Sequence, residues 1–195
     1  MATYQSIRYN VDYQGNAGSL MPLLTFTSDG SDATADFTSK IDSTYDEYLF
    51  IFNNIHSQSN DVNFAWQCNA VGGSGFDETI TSSAWTVQHT EDDATAGPET
   101  AASASNAQQT RFQRLSQSNA ANDECIGGWL RIYNPASTTF VKHFMSRSIC
   151  VEESPGAHSM FVAGYINATA AIDEFQFKMS SGEIQAGTIQ MFGVH

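Results

Sequence analysis

The sequence predicts an all-β protein, folded as a single-domain antiparallel β-sandwich of jelly-roll-like type. Short runs of aromatic and β-branched residues are separated by Gly, Asn, Ser and Asp along the whole chain, as expected of strands joined by turns. Several runs alternate apolar and polar residues with a period of two, which indicates strands with one buried face. No comparable stretch has the period of an amphipathic helix. About ten strands at regular spacing favour a sandwich or jelly roll.

Length and composition favour one domain. A chain of 195 residues, of which 41% are hydrophobic, can bury one core and is slightly short for two. We predict an amino-terminal arm or lead-in strand over 1–22 and a β-sandwich domain over 23–195. Within that domain we predict a long exposed loop near 91–109, because this segment contains Gly and Pro and almost no large apolar side chain.

The elements follow in order from the apolar runs and the turn residues between them. Asp29-Gly30 separates the first two runs, and an Asp-Gly step in this position predicts a β-hairpin. The nearly continuous apolar run over 45–55 predicts a central strand or one buried on both faces. Gly72-Gly-Ser-Gly75 predicts a flexible turn, because it lacks the Lys of a phosphate-binding loop. The predicted strands are 23–28, 33–38, 45–55, 61–70, 80–90, 110–116, 125–134, 139–152, 158–167, 172–179 and 187–194.

The run over 61–70 has the cleanest alternation in the chain, and it predicts a strand with one buried and one wet face. The predicted buried side contains a cysteine, which we expect to pack as a small hydrophobe. The predicted buried side is Val62, Phe64, Trp66 and Cys68, and the predicted wet side is Asn63, Ala65, Gln67 and Asn69.

The charge and the cysteines exclude several classes of protein. A net charge of −13, from 21 acidic and 8 basic residues, argues against binding to nucleic acid or to anionic lipid. Cys68, Cys125 and Cys150 are odd in number and lack CxxC spacing, so we expect reduced thiols. The first residues lack the pattern of a signal peptide, and no stretch approaches the ~20 apolar residues of a membrane span. We therefore expect a protein that is made in a cytoplasm.

No catalytic, cofactor-binding or metal-binding constellation is evident, so we predict a non-enzymatic protein without cofactors. The segment 89–93 concentrates carboxylates that could attract calcium, but it lacks the pattern of an EF-hand. Paired acids for glycoside cleavage would have to face one groove, and the sequence cannot place any two together. The candidate acids are Asp77, Glu78, Asp173 and Glu174. The histidines lack the spacing of metal ligands, so we expect them on the surface or on sheet faces. They are His56, His89, His143, His158 and His195.

Three tryptophans could form a sugar-stacking surface. Trp66, Trp85 and Trp129 all lie inside strand patterns, where core packing is the default, so we predict that they are buried. Asn167-Ala-Thr169 fits the glycosylation triplet, but we discount it because the chain opens without a secretory signal.

A resemblance to a known group of proteins is carried by the runs 37–48, 72–81, 134–144, 163–182 and 187–194. These runs resemble stretches common in virion structural proteins of tailed bacteriophages. The likeness covers most of 37–194 and is weakest at the amino-terminal arm and across 91–124. It implies a β-sandwich unit built into a phage head or tail, oligomeric and most naturally trimeric, with the major capsid protein or tail proteins as partners. It offers no catalytic motif.

Three functions remain open from the sequence. The first is a virion protein that decorates or cements the capsid, which suits a compact single domain without coiled-coil heptads. The second is a tail or fibre-tip protein that recognises the host surface through the loop near 91–109. The third is a free carbohydrate-binding module or a small glycan-cleaving enzyme.

Overall fold

Twelve strands account for the regular structure of the computed structural model, which describes residues 20–121, 123–151 and 156–195. A single turn of 3₁₀ helix, Ala102–Ala104, is the only helix in these ranges. The strands are β1 Met21–Thr27, β2 Ala35–Phe37, β3 Glu47–Ser57, β4 Val62–Ala70, β5 Ile80–Thr90, β6 Ala96–Thr100, β7 Gln113–Ser118, β8 Ile126–Tyr133, β9 Lys142–Val151, β10 Gly156–Ile166, β11 Ile172–Met179 and β12 Ile184–Val194.

The strands form two sheets that pack face to face. The large sheet has the order β1-β12-β3-β8-β9-β10-β5-β6, and the small sheet has the order β2-β11-β4-β7. Every neighbouring pair is antiparallel. The predicted all-β, antiparallel sandwich is therefore confirmed. The pairs β5–β6 and β9–β10 both belong to the large sheet, and β9 still packs on the small sheet, where Phe144 meets Trp66 edge-on at 5.1 Å.

Aromatic rings from both sheets fill the core. Phe50 of the large sheet packs edge-on against Phe37 and Phe175 of the small sheet, with ring centroids 5.2 and 5.3 Å apart. Phe52 meets Phe64 in the same way at 5.2 Å. Such edge-to-face pairs add to the stabilisation from burial. β3 lies between β12 and β8, which confirms the central position predicted from its apolar run.

The hairpin predicted at Asp29-Gly30 is wrong. β1 pairs with β12 in the large sheet, whereas β2 pairs with β11 in the small sheet, so the chain crosses between the sheets here. Gly30 has a φ of +98°, and Asp29 Oδ1 accepts hydrogen bonds from the backbone and hydroxyl of Ser31. The residues therefore make a tight turn, as their type predicts, but turn chemistry does not determine which strands pair.

The alternation in β4 is confirmed on one side only. Val62, Phe64, Trp66 and Cys68 are buried, as predicted. The other side is not wet, because Gln67 is fully buried and Asn69 is nearly so. Gln67 Nε2 donates to the carbonyl oxygens of Glu78 (2.9 Å) and Thr110 (3.0 Å), so two loop segments lie across this side of the strand.

The long exposed loop predicted near 91–109 is also corrected. Most of the segment is exposed, as predicted, but it is not a loop throughout. β6 then adds an edge strand to the large sheet, and Ala104 and Asn106 are buried. Backbone pairing of a segment without large apolar residues can therefore add a strand that stays exposed. Of the predicted arm, 1–19 lies outside the described residues, and 21–22 begin β1.

Candidate interaction surface

Apolar side chains lie on the outer face of the large sheet, opposite the small sheet. Trp85 is 45% exposed, Met145 47% and Ile149 51%. Such side chains on neighbouring strands make a contiguous apolar patch, which is uncommon on the free surface of a monomer. We call the outward side chains of β5, β8, β9 and β10 in this region the aromatic face, and it consists of Trp85, Trp129, Met145, Arg147, Ile149 and Phe161.

Four of these residues form one row across the sheet. Trp129 is the cross-strand partner of Arg147, Arg147 of Phe161, and Phe161 of Trp85. The Phe161 and Trp85 rings are parallel within 3°, with centroids 3.9 Å apart. The Arg147 guanidinium carbon lies 4.9 Å from the Phe161 centroid, within cation–π distance. Phe161 is therefore stacked between an indole and a guanidinium.

This stacking determines what the row can bind. Both ring faces of Phe161 are taken by its neighbours, and one face of Trp85 is taken by Phe161. A sugar that stacks on an aromatic residue needs an open ring face. A protein partner needs only apolar area and polar groups, which ring edges and guanidinium N–H groups provide. Phe161 therefore offers no open ring face to a sugar, whereas the ring edges and the Arg147 guanidinium suit a protein partner.

Two shallow hollows lie on either side of Trp129 in the aromatic face. The first, of about 430 Å³, lies beside Gly127 and Gly128, and Gly127 has no side chain to fill it. The second, of about 400 Å³, lies between Trp129 and the stacked pair. The first is also lined by Leu49, Ile51, Phe52, Asn53, Arg131 and Ile149, and the second by Ser83, Trp85, Met145, Ser146, Arg147, Phe161, Val162 and Ala163.

The two arginines in this region differ in their partners. Arg131 Nη1 lies 3.2 Å from Glu47 Oε2, so its charge is balanced within the chain. Arg147 makes no ion pair with any residue that the structure describes. A cation among apolar side chains favours a partner that brings a carboxylate.

The tryptophan prediction is right for one residue and wrong for two. Trp66 is fully buried, but Trp85 is exposed and Trp129 half-buried. β9 shows the reason, because its inward residues include Ser146 and Ser148, whose hydroxyls donate to the carbonyls of Trp129 and Leu115. At these two positions polar side chains lie inside while apolar ones lie outside, so alternation alone does not identify the buried face.

The structure brings two of the four candidate acids to the same strand end. Glu78 Oε1 accepts from the Ala70 amide at 3.1 Å, and Glu174 Oε2 accepts from Asn69 Nδ2 at 2.9 Å. Both carboxylates therefore hold the end of β4. Asp77 is exposed. Burial, and then the neighbouring Glu174 carboxylate, raise the pKa of Asp173.

The calcium candidate folds as a turn whose carboxylates bond within it. Asp93 Oδ1 lies 2.8 Å from His89 Nε2, and Asp92 Oδ1 accepts from the Ala94 amide at 3.0 Å. Hydrogen bonding to Thr90 and Ala94 lowers the pKa of Asp92. In the described ranges, no three His, Cys, Asp or Glu residues form a group that could hold a metal.

The remaining histidines are dispersed. His56 Nε2 lies 2.9 Å from the Ala121 carbonyl oxygen, and the His195 ring packs on Tyr45. His143 is exposed on the outer side of β9. His158 is buried on the inner side of β10, where its Nδ1 lies 3.9 Å from Cys150 Sγ.

The cysteines are free thiols, and Cys68 and Cys150 are buried. Burial raises the pKa of the Cys68 thiol. Asn167 Nδ2 of the glycosylation triplet donates to Gln108 Oε1 at 2.9 Å. Among the described residues, no helix is long and apolar enough to cross a membrane.

Comparison of the chain with protein-family models, with curated proteins and with solved structures gave no match.

Proposed function

We propose that this chain is a non-enzymatic structural protein of a bacteriophage virion, a decoration or cement protein that binds the capsid shell through the aromatic face. The observation that carries the proposal is the row of Trp129, Arg147, Phe161 and Trp85 on the outer face of the large sheet. Tryptophan and arginine are the residue types that most often dominate the energy of protein interfaces.

The chemistry of the aromatic face specifies its partner. The chain has a net charge of −13, yet this face presents Arg147 among apolar side chains. The complementary surface is apolar and carries a carboxylate opposite Arg147. In a virion, the major capsid protein is the subunit that would present it many times over.

The order of the strands in the two sheets also supports the proposal. β1, β12, β3 and β8 are consecutive in the large sheet, and β2, β11, β4 and β7 form the small one. We infer a jelly roll from this alternation between the sheets, with β5–β6 and β9–β10 as insertions that widen one sheet. Jelly rolls recur in viral capsid and lectin domains, although a fold by itself does not determine function. Three of the four strands with the aromatic face belong to these insertions, so they supply a surface that the eight-stranded framework would lack.

We expect the protein to be oligomeric on the particle, with a trimer as the first state to test, since symmetric shells present equivalent sites around rotation axes. Analytical ultracentrifugation of the full chain tests this part. A strictly monomeric protein at high concentration would contradict self-association in solution.

Antibody-gold labelling of particles from an infected host that produces the protein tests the location. Gold spread over the heads supports the decoration role. Gold confined to the tail tip contradicts it and favours host recognition. Unlabelled particles contradict both.

Binding to purified heads that lack the protein tests the surface. The double variant Met145→Glu/Ile149→Glu adds two carboxylates to the aromatic face and should lose binding by at least about tenfold. Phe140→Ser is the matched control, because Phe140 is 70% exposed in the turn between β8 and β9, outside this face. Equal loss in both variants, or none in the double variant, would contradict docking through this face.

Host recognition remains the alternative, favoured by the exposed turn over 91–95 at the tip of the β5–β6 pair. The test replaces this turn by Asn-Gly and leaves 96–109 intact, since that segment builds the fold. Loss of adsorption to the host with normal assembly would support the alternative. Normal adsorption would exclude this turn as the receptor-binding segment.

A further inference from the structure

A second concave site lies on the other side of the molecule, on the outer side of the small sheet. It has a volume of about 450 Å³, within the roughly 300–1,000 Å³ of small-molecule sites. Three of the chain's eight Lys and Arg residues line it, and no Asp or Glu does. We call it the cationic pocket, and it is lined by Asn63, Ala65, Ser103, Ala104, Asn106, Arg111, Phe112, Arg114, Lys178, Met179 and Ser180.

The sheet register places the cations around a small floor residue. Ala65 of β4 is the cross-strand partner of Lys178 on one side and of Arg114 on the other. The single methyl group of Ala65 leaves the space between the two longer side chains open. Arg111, just before β7, lines the same space.

Arg111 is held in place by neutral groups. Its Nη2 donates to the carbonyl oxygens of Ser105 (2.6 Å) and Ser103 (3.2 Å), and its Nε donates to Asn106 Oδ1. Asn106 is itself buried and donates to the Arg111 carbonyl. These bonds fix the guanidinium without neutralising its charge, which is the preorganisation that anion recognition needs.

Lys178 is also without a carboxylate. Its Nζ lies 4.0 Å from the centre of the Phe112 ring, and neither Lys178 nor Arg111 makes an ion pair with a residue that the structure describes. Lys178 and Arg111 both carry positive charge, and in a chain of net charge −13 carboxylates are abundant as alternative partners for these two residues. An anion from outside the chain is the group that would balance them.

Polar neutral groups at the rim narrow the class of ligand. The side-chain amide of Asn63 makes no hydrogen bond with a described residue, Ser180 Oγ accepts from the Asn63 backbone amide at 2.9 Å, and Ser103 also lines the pocket. Amide and hydroxyl side chains around a cationic centre suit a ligand that carries hydroxyl groups as well as a carboxylate. We propose that the cationic pocket binds a carboxylate-bearing sugar unit of the hexuronic acid type, a property independent of what the aromatic face binds.

Titration of the ¹⁵N-labelled full chain with methyl glucuronide, followed by NMR, tests the proposal. We expect saturable shifts of amide signals from the pocket, and no such shifts with methyl glucoside, which has the same ring without the carboxylate. Equal binding of both sugars would overturn the proposal, as would equal shifts with inorganic phosphate at the same concentration. Absence of binding by methyl glucuronide would also overturn it.

A variant of one cation tests which residues act. Lys178→Gln keeps a polar side chain of similar reach and should weaken methyl glucuronide binding about tenfold, the loss of one charged hydrogen bond. Lys40→Gln removes an exposed cation outside the pocket and should leave the affinity unchanged. Equal effects of the two variants would show that net charge, rather than the pocket, determines binding, and would overturn the assignment.

Discussion

Trp85 and Phe161 stack face to face on neighbouring strands, with ring centroids 3.9 Å apart and ring planes within 3°. They do so on the outer face of a sheet, where Trp85 is 45% exposed. Parallel stacking of large rings outside the core stabilises the free protein only modestly. Its more important effect is to hold two side chains rigid at a surface. Rigid side chains lose less conformational entropy when a partner binds.

The two tryptophans Trp66 and Trp85 should separate stability from binding. Trp66→Ala removes a fully buried side chain and should lower the free energy of unfolding by about 3–5 kcal/mol. Trp85→Ala loses mainly the stack on Phe161 and should cost only about 1 kcal/mol. Urea denaturation measures both. A loss for Trp85→Ala as large as that for Trp66→Ala would show that Trp85 belongs to the core.

The adjacent glycines Gly127 and Gly128 should respond oppositely to alanine. A Cβ on Gly128 would lie 2.4 Å from the Arg147 carbonyl oxygen and 2.8 Å from the Ser148 Cα. Gly128→Ala must therefore force β8 and β9 apart, at a cost of about 1–3 kcal/mol. A Cβ on Gly127 would meet only Ile149 Cγ2, at 4.0 Å, so Gly127→Ala should change stability by less than about 0.5 kcal/mol. Thermal unfolding of the two variants checks the contrast, which a similar melting temperature for both would refute.

Particular strands show which features of this fold the sequence predicts. Alternation and turn residues located β11 at 172–179 and β5 at 80–90 with their observed bounds, because the local pleat determines both signals. Pairing is not local, so Asp29-Gly30 predicted a turn correctly and its strand partners wrongly. The site was missed for the same reason. Alternation shows that Trp129 and Leu130 lie on opposite faces, but it does not show that the small sheet covers only the Leu130 side.

Gln67 should be a sensitive polar residue of the small sheet. It is fully buried, and its side chain bonds the Cys68 amide at 2.8 Å as well as two loop carbonyls. Gln67→Leu leaves these groups without partners and should cost at least about 2 kcal/mol. Hydrogen exchange over 101–111 should also quicken, because this segment loses its attachment to β4.

Gln176→Leu is the matched control for Gln67→Leu. Gln176 lies on the neighbouring strand, and its side chain bonds only the exposed Asp36 carboxylate, at 2.8 Å. Its replacement should change stability by less than about 0.5 kcal/mol. Comparable losses in the two variants would show that the loops are held by contacts other than those of Gln67.

Protonation of Asp173 should stabilise the folded protein as the pH falls, in contrast to a carboxylate that is stabilised by its surroundings. Burial, with Glu174 nearby, raises the pKa of Asp173 above 3.8 in the folded protein. The folded state therefore binds this proton more tightly than the unfolded state, so the charged form costs stability at neutral pH. That cost is relieved as the pH falls through the raised pKa. Asp173→Asn should accordingly raise the melting temperature at pH 7, and the gain should vanish below about pH 3.8.

Asp29 provides the control of opposite sign. Hydrogen bonds from the side chain and backbone of Ser31 lower the pKa of Asp29, so its charged form stabilises the folded state above pH 3.8. Asp29→Asn should therefore lower the melting temperature at pH 7 and lose this effect as the pH falls through the lowered pKa. If both variants shifted the melting temperature in the same direction at pH 7, the overall negative charge would govern the response rather than the surroundings of each carboxylate.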